Sequence, residues 1–286
     1  MRGRSFVDYF RQLANKRSAS NYDNWISALK YLEKFTGGNL KFADLNEGFC
    51  NDFKEYLLTV KDPKNKRLAL SQNSALSYFN KVKAALKQAY KDGYLKTNLN
   101  DMVEPIKQAE TQRHYLTIDE LNKLVKTNCA NPILKNAALF SALTGLRFSD
   151  IAKLVWGEIE YVKGQGYFIH FKQQKTKGVE VMPISEQAYS LLGEEQKTAD
   201  KVFEGLQYSA YQNKHLLKWV RSSGITKDIT FHCFRHTFAT LQLSNGTDIY
   251  TVSKMLGHRE LKTTQIYAKI IDQTKRIAAD KIKLDL

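Results

Sequence analysis

The chain is short of everything that would build a crosslink, a metal cage or a membrane anchor. Its cysteines, Cys50, Cys129 and Cys233, are odd in number, scattered and never in a Cys-x-x-Cys pair. That excludes a disulfide framework and a cysteine zinc site, and it suits a reducing, cytoplasmic compartment. No run approaches the roughly 18 apolar residues of a membrane span, and no apolar segment follows the start as in a secretory signal. Repeats and low-complexity segments are absent, as are metal-ligand and phosphate-loop signatures. Neither a cofactor nor a metal is expected.

What is abundant is positive charge. Lysine and arginine number 44 against 29 acidic residues, a net charge of +15. Such a balance favours a polyanionic partner: DNA, RNA or an anionic membrane face. At 286 residues the chain is long enough for two domains, each with a buried core.

In order along the chain, residues 1–19 are basic and weakly periodic, so the first helix is expected only beyond them. Ser20 is a candidate N-cap for a helix bearing Trp25, Ile26, Leu29, Leu32 and Phe35, stopped at Gly37-Gly38. Phe49, Phe53, Tyr56, Leu57 and Val60 repeat at helical spacing. After a charged turn at 61–67, Ser71 caps a long helix through Ala75, Phe79, Val82, Leu86 and Tyr90. Its other face carries Lys81, Lys83 and Lys87, either a solvated stripe or a DNA-facing one. The pattern fades around Pro105, giving a helical domain over 1–103, a linker over 104–114 and a second domain over 115–286.

Thr117-Ile118-Asp119-Glu120 is a capping box that opens the second domain. Asn131-Pro132 starts a helix that ends at Gly145, which puts Arg147 in a tight turn before the next helix. Three β-rich segments follow, near 158–162, 167–171 and 179–184, and predict a small antiparallel sheet. The run Lys172–Gly178 makes a cationic hairpin tip. The fold class is therefore mainly α (α+β), a helical bundle followed by a mixed helical domain with a three-stranded sheet.

The densest chemistry lies in Thr230–Tyr267, where His232, Arg235, His236, His258 and Tyr267 fall within three short helices. Asn245-Gly246 stops the first, Asp248 caps the second and Gly257 ends it. Arginine is a fixed cationic fork that matches two phosphate oxygens, and histidines donate to such oxygens or move protons near neutral pH. Tyrosine is a candidate nucleophile, although ionising a free phenol at pH 7 costs roughly 4 kcal/mol.

The boxes His232-x-x-Arg235-His236, Leu256-Gly257-His258 and Ile266-Tyr267-Ala268, with Ala142–Ile151 around Arg147 upstream, resemble the tyrosine recombinase (phage integrase) family. The resemblance implies that Arg147, Arg235 and His258 hold a scissile DNA phosphate, with His232 beside them. Tyr267 would attack to form a 3′-phosphotyrosyl link without ATP, and His232 would receive its proton. A lysine on the hairpin would be the general acid, with Lys175 the better match and Lys177 the alternative. None of the six positions departs from the family pattern, and His236 is read as structural. The implied partner is double-stranded DNA, bound by a homotetramer on two sites and a monomer when free. Accessory DNA-bending proteins and nucleoid association belong to the same expectation, and a membrane does not. The implied role is integration or excision of a mobile element or phage. Chromosome resolution and topoisomerase IB-like relaxation are the alternatives. The apolar stripe Ile271, Ile277, Ala278 and Ile282 is expected to dock on a neighbouring protomer. With so few residues before the first expected helix, an N-terminal arm-binding domain is absent or has been cut away.

Overall fold

A computed structural model describes residues 4–110, 113–172 and 179–268 of the chain. The backbone divides into two compact units, Met1–Thr111 and Gln112–Leu286. Among the described residues no helix is long and apolar enough to cross a membrane.

The first unit is helical. Its opening corrects the expectation for residues 1–19, because α1 spans Phe6–Asn15. The Ser5 side chain caps it by accepting from the Asp8 amide, and Phe6, Val7, Phe10, Leu13 and Ala14 form one buried face. Helical spacing was present there, but the basic residues that flank it, Arg2, Arg4, Lys16 and Arg17, obscured it. Next comes α2, Ala19–Thr36, which starts after Ser18 rather than Ser20 and stops at Gly37 in the left-handed conformation. The third helix, α3, spans Glu47–Thr59 with Asn46 as its cap. The fourth, α4, runs Gln72–Lys91 behind the expected cap Ser71. Phe10, Trp25, Phe53, Phe79 and Leu86 meet in the core between them.

A short α5, Leu99–Met102, follows where no element is expected. Beyond it Val103 and Ile106 are buried in the same core. The Gln72 and Asn73 side chains donate to the carbonyls of Lys107 and Ala109, and Asn73 also accepts from the Ala109 amide. Residues 103–109, most of them expected as linker, are thus fastened along the start of α4. Lys83 donates to the Val103 carbonyl. One member of the lysine stripe therefore serves the fold.

The second unit begins with a segment pinned to its core, where the Leu116 amide donates to Thr237 Oγ1 at 2.9 Å. The capping box at Thr117 and Glu120 forms with both of its bonds and opens α6, Ile118–Lys126. Helix α7, Pro132–Thr144, ends at Gly145, and α8, Phe148–Ile151, starts just after Arg147. Strands β1 (Ile159–Val162), β2 (Gly166–Lys172) and β3 (Val179–Ile184) form one antiparallel sheet in that order. Tyr161 pairs with Tyr167 and Ile169 with Met182. The hairpin tip at 173–178 lies outside the described residues. Two helices, α9 (Glu186–Tyr189) and α10 (Ala210–Ser222), lead into α11 (Phe231–Ser244), α12 (Ile249–Met255) and α13 (Lys262–Ala268). Phe140, Trp219 and Phe234 are fully buried and join α7, α10 and α11 into one core. The apolar stripe beyond Tyr267 lies outside the described residues.

Candidate active site

The centre of the site is Arg235, on the second turn of α11 and only 3% exposed. A guanidinium at that depth has to be hydrogen-bonded. Its Nη1 donates to the Gly145 carbonyl and its Nη2 to the Leu256 carbonyl at 2.7 Å. The two acceptors are buried carbonyls at helix ends, one past α7 and one past α12. Arg235 thereby ties the C-terminal ends of α7 and α12 to α11. Burial, with Arg147 close by, pushes its pKa down to about 9, which leaves it cationic at neutral pH.

Gly145 makes this possible in two ways. Its φ of +71° favours glycine, and a Cβ there would lie 2.5 Å from Phe238 Cδ1 and 2.9 Å from Leu256 Cδ2. Buried hydroxyls fix the same turn, with Ser141 Oγ donating to the Leu146 carbonyl and Thr144 Oγ1 accepting from the Leu146 amide. The next residue, Arg147, is half-buried at the N-cap of α8, 3.8 Å from the carboxylate of the buried Asp150.

His258 sits in the turn after α12, where Gly257 has φ 57° and the amides of Gly257 and His258 close onto Lys254 and Ser253. Its Nε2 lies 3.0 Å from Arg235 Nη2 and its Nδ1 lies 2.8 Å from Oγ1 of the fully buried Thr264. A guanidinium can only donate. Nε2 is therefore the acceptor, and the ring proton sits on Nδ1, donating to Thr264. Burial and the Arg235 charge lower its pKa to about 4, so the ring is neutral.

Tyr267, on α13, is 2% exposed and closes the pocket. Its hydroxyl lies 2.7 Å from Nδ1 of His236, the residue after Arg235. Burial raises the phenol's pKa, against the downward pull of Arg235, Arg113 and Arg147. His236 is 6% exposed and its pKa is lowered to about 3, first by burial and then by His232, Arg113, Arg235 and His258. The exposed His232 stands one turn earlier on α11, its ring edge-on to that of His236 at 4.4 Å.

Of the six residues singled out in the sequence, Arg147, Arg235, His258 and Tyr267 thus gather around one buried point, and His232 stands at its exposed edge. Lys175 and its alternative Lys177 lie outside the described residues. Three contributors were not anticipated. Thr264 orients His258, Arg113 adds positive charge from the pinned segment before Leu116, and His236 contacts the tyrosine. A threonine three residues before Tyr267 carries no distinct signal, and Arg113 looks like any other basic residue between domains.

Two family models match the chain. One, described as the phage integrase family, matches residues 114–274, and another, the phage integrase SAM-like domain, matches residues 5–104. The chain belongs to the phage integrase family. It is a tyrosine recombinase, an enzyme of site-specific DNA recombination. A tyrosine recombinase XerC from Lacticaseibacillus casei is 26% identical over 283 residues, 93% of each chain. A tyrosine recombinase XerD from Listeria innocua is 28% identical over 221 residues, 70% of this chain and 72% of that one. Among solved structures, the lambda integrase(75-356) dimer bound to a COC' core site superposes with a TM-score of 0.71 at 19% identity. That match covers 92% of this recombinase and 93% of the integrase. The Tn1549 transposon integrase in complex with a circular intermediate DNA gives 0.70 at 16% identity, covering 97% and 99%. At these identities the two structures carry the fold.

Proposed function

We propose that this recombinase cuts and rejoins duplex DNA through a covalent bond between Tyr267 and a 3′-phosphate. The observation that carries the reading is the convergence of Arg235, His258 and Tyr267 on the turn that bears Arg147. Arg235 spends three N–H groups on Gly145, Leu256 and His258, leaving two of its five for a phosphate. Arg147 supplies the second fork. Negative charge that builds on the phosphate oxygens then meets donors already fixed in place. To donate to the phosphate as well, His258 must exchange its Arg235 contact for the anion and carry a proton on Nε2.

Tyr267 attacks phosphorus, the bond to the 5′-oxygen breaks, and the 5′-hydroxyl leaves with a proton from Lys175. His232 receives the phenol's proton. A 5′-hydroxyl of the partner strand reverses the step, restoring a phosphodiester and free Tyr267, so no ATP is consumed. The +15 charge supports double-stranded DNA as the partner, and the solved integrases of this fold are described on DNA. We assign residues 1–103 to gripping the duplex and 115–286 to chemistry. A homotetramer on two sites performs the exchange.

We read the role as integration or excision of a mobile element. The match to XerC along 93% of both chains favours chromosome resolution as the second reading. One experiment addresses both. The enzyme is incubated with nicked genomic duplexes, covalent complexes are trapped, and the attached DNA is sequenced. Wild type should yield adducts linked at Tyr267, and Tyr267→Phe should bind DNA but yield none. Tyr250→Phe, at a 62% exposed tyrosine, should behave as wild type. Adduct from Tyr267→Phe at the wild-type level overturns the assignment. Sites clustered at element ends support integration, and a single chromosomal locus supports resolution.

A further inference from the structure

The mechanism above leaves one buried group unused, the imidazole of His236 at 2.7 Å from the Tyr267 hydroxyl. We propose that His236 is the positioning residue for the nucleophile, a neutral hydrogen-bond acceptor that fixes the phenol's orientation without taking its proton. This inference rests on the reading of Tyr267 as nucleophile.

Three observations carry it. First, the bond joins two elements that nothing in the sequence ties together, α11 and α13, 31 residues apart. Second, both partners are buried, at 6% and 2% exposure. Third, His236 follows Arg235 directly. Backbone carbonyls past α7 and α12 anchor the Arg235 fork, so the acceptor for the tyrosine is mounted on the same rigid turn as the phosphate-binding cation. Arg113 also bonds to the phenol oxygen, so a phenol that donates to Nδ1 keeps its second lone pair free to attack. A phenol that accepted from Nδ1 as well would have both lone pairs engaged.

The charges facing His236 argue against its being the base. Around it stand His232 and Arg235 on its own helix, His258 from the turn after α12, Arg113 from the segment before α6, and Tyr267 from α13. The first four disfavour a proton on His236, and burial disfavours it more. With the imidazole pushed down and the phenol pushed up, both chiefly by burial, the proton stays on the phenol. Holding is within reach of this group and removing the proton is not, which leaves that task to His232 or to another group admitted with the DNA.

The substitutions His236→Asn and His236→Gln separate these roles. An asparagine amide oxygen falls near the place of Nδ1, whereas the longer glutamine amide falls near Nε2. Covalent trapping on the same nicked genomic duplexes should show His236→Asn within about tenfold of wild type and His236→Gln and His236→Ala slowed by a factor on the order of 10². DNA affinity should be unchanged in all three. From about pH 6 to 9 the pH–rate profile of His236→Asn should follow that of wild type, since the native group does not titrate there. In the free protein, nitrogen NMR of the His236 ring should show a proton on Nε2 and none on Nδ1. Tyr267→Phe should shift the Nδ1 resonance. Equal loss in Asn, Gln and Ala, or a proton on Nδ1, overturns the proposal. A Tyr267→Phe protein that still forms adduct overturns instead the nucleophile assignment on which it rests.

Discussion

Two neutral histidines, His236 buried and His258 half-buried, make acid stability a direct probe of this site. In the unfolded chain His236 and His258 each take up a proton near pH 6.5. In the folded chain they do so only near about 3 and about 4. Between those values the unfolded state holds more protons, so acid favours unfolding. The contribution is complete above about pH 6.5 and is lost progressively as the pH falls through the folded values. From about pH 7.5 to 4.5, two pH steps below the unfolded value correspond to about 2.7 kcal/mol for each ring without screening. His258 is half-exposed and His236 borders the exposed His232 ring, so solvent screens both. A reduction to roughly 1 kcal/mol each is reasonable, about 2 kcal/mol for the pair. The assay is urea unfolding followed by the fluorescence of Trp156 and Trp219, both in the core of the second unit, in a Trp25→Phe background. At an m-value of about 2 kcal/mol/M the midpoint should fall by about 1 M over that range beyond the fall of a double variant, His236→Asn with His258→Asn. Comparison with the variant removes the contribution of carboxylates such as Asp248, whose pKa is lowered by its cap bonds to Thr251. Parallel loss of stability in both proteins would refute the neutral state of these rings, and with it the tautomers assigned around Arg235 and Tyr267.

Gly145→Ala should destabilise the second unit by about 2–4 kcal/mol, combining a left-handed residue with a methyl driven into Phe238 and Leu256. A loss below about 0.5 kcal/mol in thermal or urea unfolding would mean that the turn relaxes freely. Lys175→Ala should lose strand cleavage on a normal substrate and regain it when sulfur replaces the 5′-oxygen leaving group; rescue of Lys177→Ala instead moves the general acid by two residues. Lys87→Ala should lower the slope of log affinity against log salt by about 0.9 if that exposed lysine meets a phosphate. No change would make the stripe on α4 a solvated face.

Helix boundaries were legible wherever a cap residue with its own chemistry marked them. Ser71, Thr117, Asn131 and Asp248 each accept from the amide three residues on, as their sequence contexts predict. The three-stranded sheet was legible for the same reason, because β-branched and aromatic runs alternate between glycine turns. Signals failed where local pattern and tertiary packing diverged. Phe6, Phe10 and Leu13 form a good helical face, yet basic neighbours masked it until their burial against Trp25 gave it a partner. Val103 and Ile106 belong to no strong periodic element, and side chains of α4, 35 and 36 residues away in sequence, hold the segment after them.

The site divides along the same line. Arg147, Arg235, His258 and Tyr267 stand out because cations, imidazoles and a phenol at helix ends have little reason to cluster unless chemistry needs them, and the fold brings them to one point. The choice between His232 and His236 was of another kind. They lie four residues apart on α11, so they share a helix face and differ only in depth. Local sequence offers both as neighbours of Arg235. Which one meets the phenol is decided by where α13 returns across α11, and that depends on Gly257 turning the chain and on Thr264 being buried against His258. Periodicity can name the face of a helix, but the depth at which a side chain finds its partner is set by the elements that close over it.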